Sequence, residues 1–129
     1  MFKGVTAMIY PIYDTRMQIN NLAKKCNDME SELIEQMIHN AADYVRAVIV
    51  METAASNIAS LDADEAREAK QSTDRARTIA HDAFISSVNI VNRICDKHEF
   101  RRIYTDGEDR RDYGEFALRI VRDIFASRH

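Results

Sequence analysis

Glycine occurs three times and proline once in 129 residues. So few chain breakers leave little material for tight turns, which argues against an all-β or many-looped fold. Only two cysteines are present, Cys26 and Cys95, with no C-x-x-C pair. That excludes a disulfide framework and the usual zinc patterns, and it predicts two reduced thiols in a cytoplasmic protein. No apolar run approaches the ~18 residues needed to span a bilayer. The opening MFKGVTAMIYPIY carries one lysine and a short apolar patch broken by Pro11. It lacks the apolar core and cleavage site of a secretion signal and reads as an N-terminal arm over 1–12. Charge of one sign is lacking as well. A net charge of −3 gives no pull toward nucleic acid or an anionic membrane.

What is present is helix-forming. Alanine, glutamate, arginine and methionine are plentiful, and the length suits one domain with its own core. Period and caps predict four helices. The first covers 14–26, with Ile12, Ile19, Leu22, Ala23 and Cys26 on one side. Asn27 and Glu30 then have the spacing of a capping box and open a second helix over 28–60. Its apolar set is Leu33, Met37, Ala41, Tyr44, Val48, Met51, Ala55 and Ile58. Ile34, Ile38, Val45 and Ile49 widen the stripe in its first half, which predicts contact with two neighbours there. Asp62 and Glu65 repeat the box and open a third helix from 63 to about 97, extendable to 104. Its seam of Ala66, Ala69, Thr73, Ala76, Ala80, Ala83, Ser87, Ile90 and Ile94 is small at the start and bulky at the end. The stretch TDGED at 105–109 predicts a turn, with Gly107 free to take positive φ. A fourth helix follows over 110–127, faced by Tyr113, Phe116, Ala117, Ile120, Val121, Ile124 and Phe125.

Helices two and three are separated by a few residues, so they should form an antiparallel hairpin. Each would span ~50 Å, against ~20 to 25 Å for the two short helices. The short helices can cover only half of the hairpin. The bulky half, Leu33–Val48 with Ile79–Cys95, should receive them. The rest is the stretch ETAASNIASLDADEAREAKQSTDRA, with seven alanines and only Ile58 and Leu61 as large apolar groups. One reading makes this tip a narrow two-helix arm in which alanine serves as a helix former. A second buries it against another copy, through Ala55, Ile58, Ala66, Ala69, Thr73 and Ala76. A third bends the helix at Ser56-Asn57 and folds the tip back.

Constellations for chemistry are sparse. Glu35, His39 and Asp43 share a helix face, but Arg46 sits beside them and the face lies opposite the apolar stripe, so it reads as solvated. Glu-x-x-His, which di-iron bundles need, does not occur. The pairs Glu32/Glu35 and Glu65/Glu68 have magnesium-binding spacing, yet the hairpin puts them ~45 Å apart. His81 beside Asp82 reads as a boundary residue and His98 as an inward-facing histidine. Arg101-Arg102 and Arg110-Arg111 flank the turn, largely cancelled by Asp106, Glu108, Asp109 and Asp112, and read as a solvated loop. The positions of Cys26 and Cys95 place both thiols at the base of the hairpin. No glycine loop cradles phosphate and no nucleophile elbow occurs.

Arg93 and His98 form Arg-x4-His near the end of a long helix. This resembles the Arg-x4–6-His motif of the small helical ribonucleases of the HEPN superfamily. The resemblance covers that motif and the helical architecture, not the whole chain. It implies metal-independent RNA cleavage, with His98 as acid or base on a ribose 2′-hydroxyl and Arg93 holding phosphate. On a continuous helix the two side chains point ~140° apart, so their convergence requires the helix to end near 97.

The residues therefore lead to one all-α domain over 1–129, a long antiparallel hairpin with two shorter helices, bundle-like in arrangement. The expected role is a small cytoplasmic interaction or self-association module, non-catalytic, without cofactor or metal. Its partner would be a second copy or another helical protein, with neither nucleic acid nor membrane involved. The ribonuclease built on Arg93 and His98 stands as the alternative.

Overall fold

A computed structural model describes residues 15–125, leaving aside the side chain of Ala59. The expected arm at 1–12 lies outside the described residues, as do Ile12, Asp14 and residues 126–127 of the expected terminal helices. Among the described residues there are four α-helices: α1 (Thr15–Ala23), α2 (Asp28–Asn57), α3 (Ala63–Lys97) and α4 (Tyr113–Ile120). The two long helices pack antiparallel, and the short ones lie against one end of the pair. The all-α hairpin architecture follows from local signals. Both capping boxes form in full. Asn27 Oδ1 accepts from the Glu30 amide at 2.8 Å and Glu30 Oε1 from the Asn27 amide at 3.0 Å. Asp62 and Glu65 exchange the same two bonds at 2.8 and 3.1 Å. Each box satisfies two amides that a helix start would otherwise leave unpaired.

The element boundaries depart from expectation where loops take residues for other uses. Helix α1 stops at Ala23, and Lys24–Cys26 form a tight turn, with the Cys26 amide donating to Ala23 O at 3.1 Å. No break occurs at Ser56-Asn57. The chain instead tightens into a 3-10 turn at Ile58–Ser60 just after it. Helix α4 begins at Tyr113, capped by Asp112, whose carboxylate accepts from the Glu115 amide at 2.7 Å. It ends in a π-helical turn over Val121–Phe125. Gly107 takes φ +83° in the expected turn, where the Glu108 and Asp109 amides both donate to Thr105 O.

One core serves the fold. It joins Ile19 and Leu22 of α1, Ile34, Met37, Ile38, Ala41 and Tyr44 of α2, and Phe84, Val88, Val91, Ile94 and Cys95 of α3. Ile103 and Tyr104 from the loop and Phe116, Ala117, Ile120 and Ile124 complete it. The expected seam of α3 holds at Ser87 and Ile94, which are buried, but the buried face extends one position beyond it. Phe84, Val88 and Val91 are fully buried, whereas Ala83 is exposed and Ile90 half-buried. Ile49 and Ile79, assigned to the packed half, are 55% and 64% exposed. They sit just beyond the reach of α4.

The loop from 98 to 112 is held by polar groups rather than by length of helix. Asn92, itself buried, accepts from the Ile103 amide at 3.0 Å and donates to Tyr104 O at 2.7 Å. Arg111 pairs with Asp109 at 2.7 Å, donates to Ile103 O at 3.1 Å and stacks over Phe116 at 4.5 Å. Paired in this way, a buried guanidinium loses little on leaving water. Arg111 is therefore part of the fold, not of a solvated basic loop, while Arg110 stays exposed.

Candidate functional site

Two places stand apart from ordinary packing, one at each end of the hairpin. The first is the tip. Among the described side chains from 45 to 83, none is buried. Ala55 and Ala76 are exposed, and Ile58, Ala66, Ala69 and Thr73 are half-buried. From Tyr44 to the turn the two helices run ~24 Å, and among the described residues no third layer buries them. A groove of about 300 Å³ opens along this stretch, lined by Met51, Ala54, Ala55, Ile58 and Thr73. Glu52, Lys70 and Asp74 also line it, and Lys70 pairs with Asp74 at 2.9 Å. Thr73 turns its hydroxyl back onto Ala69 O at 2.9 Å, which presents its methyl rather than a free donor.

The second place is the base, and Glu30 is its hub. Its carboxylate is the capping-box group of α2, yet the residue is only 7% exposed. Besides the Asn27 amide it accepts from Lys97 Nζ at 2.8 Å and lies 3.1 and 3.3 Å from His98 Nε2. The Lys97 hydrogen bond, then the Asn27 amide and the His98 ring, pull its pKa down to about 2. His98 is placed by the way α3 stops. The Glu99 amide donates to Asp96 O at 3.2 Å and the Phe100 amide to Cys95 O at 2.8 Å. These are the two bonds of a Schellman motif. It forms without glycine, by holding Glu99 at φ +59°. Phe100 then packs on the core beside Cys95, which offsets the cost of that left-handed residue.

Cys26 completes the cluster from the α1–α2 turn. Its thiol donates to Leu22 O at 3.3 Å. One donor atom from each of Cys26, Glu30 and His98 lies within 4.8 Å of the others. Burial and the Glu30 charge raise the Cys26 pKa, so the thiol holds its proton. Cys95 is fully buried against the same core, and desolvation pushes it up to about 11. Both cysteines are free, at the base as their positions imply.

The other sequence candidates can now be located. On the face of Glu35, His39 and Asp43, Glu35 is half-buried and the other two are exposed. His39 is exposed, with its ring edge-on to Phe125 at 5.8 Å, and Asp43 pairs with Arg46 at 3.0 Å. His81 is half-buried between Tyr44 and Tyr113, with ring centroids at 5.3 and 6.2 Å. Helix α3 does end at Lys97, as convergence of Arg93 with His98 requires. The His98 ring, however, is engaged by Glu30, and Arg93 is exposed without a hydrogen bond to any described residue. Glu30 and Cys26 were missed as partners of His98. The signal was faint: a capping-box carboxylate at the hairpin end to which the antiparallel register returns the close of α3.

The model of a family described as "protein of unknown function (DUF3232)" matches residues 13–129, nearly the whole chain and all of the helices just described. The chain belongs to the DUF3232 family. Among curated proteins, none matches closely enough to carry a role across. For this DUF3232 chain the geometry is therefore the guide to function. No described helix is long and apolar enough to cross a membrane.

Proposed function

We propose that this DUF3232 chain is a small cytoplasmic self-association module, non-catalytic, which pairs with a second copy through the tip of its hairpin. The observation that carries the reading is the contrast in burial along one pair of helices. A stretch of ~24 Å is kept helical and capped at its turn, but none of its described side chains is buried by the other described elements. Alanine on facing positions lets backbones approach closely, and the groove beside it is lined by apolar groups together with Glu52, Lys70 and Asp74. The charged groups carry both signs, Lys70 with Glu52 and Asp74. A copy turned about a two-fold axis can set Lys70 of one chain against an acid of the other, which is the requirement of an isologous interface. Ala55, Ile58, Ala66, Ala69, Thr73 and Ala76 would line it.

Sedimentation equilibrium of the full chain tests this. The wild type should be dimeric at high micromolar concentration. Ala69→Glu should be monomeric with unchanged far-ultraviolet circular dichroism, because a charge placed in the seam loses its water only on association. A monomeric wild type at that concentration overturns the reading. So does an Ala69→Glu variant that still dimerises.

A further inference from the structure

We propose that Cys26, Glu30 and His98 form a zinc site at the base of the hairpin. This inference does not rest on self-association at the tip, which lies at the other end of α2 and α3. Three observations carry it. The donor set is one thiol, one carboxylate and one imidazole, brought together from the α1–α2 turn, the first turn of α2 and the C-cap of α3. The donor atoms lie within 4.8 Å of one another. Ligand atoms around a tetrahedral zinc stand about 3.5 Å apart, and His98 Nε2 is already 3.1 Å from Glu30 Oε1. Only Cys26 has ground to cover, and it sits in a turn rather than a helix. Its thiol would exchange the bond to Leu22 O for the metal.

The charges also match. In the metal-free cluster, the Glu30 carboxylate is balanced by the Lys97 ammonium. A bound zinc ion balances the Glu30 carboxylate and a Cys26 thiolate. Metal entry therefore replaces the thiol proton and the Lys97 ammonium, requires the His98 Nε2 proton that faces Glu30 to pass to Nδ1 through solvent, and leaves the site neutral. Lys97 can leave at little cost because its side chain is 60% exposed and its ammonium moves into water. Glu30 Oε1 keeps the Asn27 amide, the kind of outer partner that orients a ligating carboxylate. Thiolate and imidazole select zinc over the oxygen-loving magnesium and calcium. Three protein ligands leave a fourth position open, as in zinc sites that hold a water or an external ligand.

The experiment is zinc titration of the untagged full chain in competition with a chromophoric chelator, repeated with cobalt(II). One zinc should bind per chain, with at least one proton released as the thiol ionises. Cobalt should show a thiolate-to-metal charge-transfer band. Cys26→Ser and His98→Gln should each lose more than about tenfold in affinity, the lower end of what loss of an outer partner costs, and Cys26→Ser should lose the cobalt band. His39→Gln, an exposed histidine on another face, should bind as wild type. Lys97→Ala separates a metal site from a mere ion-pair clasp. It removes the competing cation and should bind zinc about two- to fivefold more tightly, the reach of an exposed ion pair. Absence of zinc binding at micromolar concentration overturns the proposal. So does a Cys26→Ser variant that binds zinc or shows the cobalt band as wild type does, and so does weaker binding by Lys97→Ala.

Discussion

Two capping boxes with the same spacing open the two long helices, and they end in different worlds. Glu30 at the base is buried, ion-paired to Lys97, and in reach of His98 and Cys26. Glu65 at the tip is exposed and makes only its local cap. The local chemistry is the same, and what differs is the company that the register brings. At the base, α1, α4 and the 98–112 loop surround the hairpin, so a carboxylate there loses water and must gain partners. At the tip no other described element covers the two helices, and a carboxylate keeps its water. The same division runs through the apolar residues, since every described buried side chain lies before 45 or after 83.

The sharpest way to break this comparison is to remove one large side chain at each end. Phe84 has no exposed surface and packs among Tyr44, Tyr113 and Phe116. Phe84→Ala should cost about 3–5 kcal/mol, since the surrounding helices cannot collapse into the gap. Met51, half-buried beside the tip groove, leaves no closed cavity, and Met51→Ala should cost about 1 kcal/mol or less. Urea unfolding followed by circular dichroism reads both. Equal costs would mean that the tip is as tightly packed as the base.

How much of this was legible in the residues follows from the reach of each signal. Caps and hydrophobic period are local, so the four helices, the hairpin and the turn at Gly107 could be read directly. The face of α3 could not be carried from tip to base. A heptad pattern on a straight helix drifts by ~20° per seven residues. From Ala66 to Ile94 that amounts to ~80°, so Phe84, Val88 and Val91 join Ser87 and Ile94 in the buried face, while Ala83 is left exposed and Ile90 half-buried. The base cluster and the Arg111 clasp were hidden for a different reason. The cluster joins residues distant in sequence through the end of α3, where a Schellman turn without glycine gave no marker, and the clasp depends on a loop conformation that no periodic pattern announces.

A smaller effect should appear in the pH dependence. Glu30 titrates near 2 in the folded chain, below its ordinary value of 4.5, chiefly because Lys97 donates to it. A depressed folded pKa means that its contribution is fully present above about 4.5 and fades as pH falls toward 2. Glu30→Gln should therefore be less stable than wild type at neutral pH, and the gap should narrow as pH drops through that window. Urea midpoints measured from pH 7 to 2 check it. A gap that stays constant would mean that the effect does not depend on the charge of the carboxylate, in the cap or in the ion pair.

The finest test asks whether the tip unfolds with the base or ahead of it. Glycine in a helix interior costs about 1 kcal/mol relative to alanine through backbone freedom alone. At Ala41, which is fully buried, Ala41→Gly adds the loss of a packed methyl, about 0.8 kcal/mol more, and the sum should appear in global unfolding. At Ala69 the methyl is only half-buried. If the poorly packed tip opens as a unit of its own, Ala69→Gly falls mainly on that local opening. The urea midpoint should then move little, under about 0.5 kcal/mol. Amide exchange over 63–76 should quicken about fivefold, the factor that 1 kcal/mol implies. Dilute monomeric samples keep self-association from masking the effect. A full 1 kcal/mol loss in global stability, with exchange at the tip and base shifted alike, would make the hairpin a single cooperative body. The contrast in packing would then not be a contrast in stability, because α2 and α3 would be transmitting the stability of the base along their whole length.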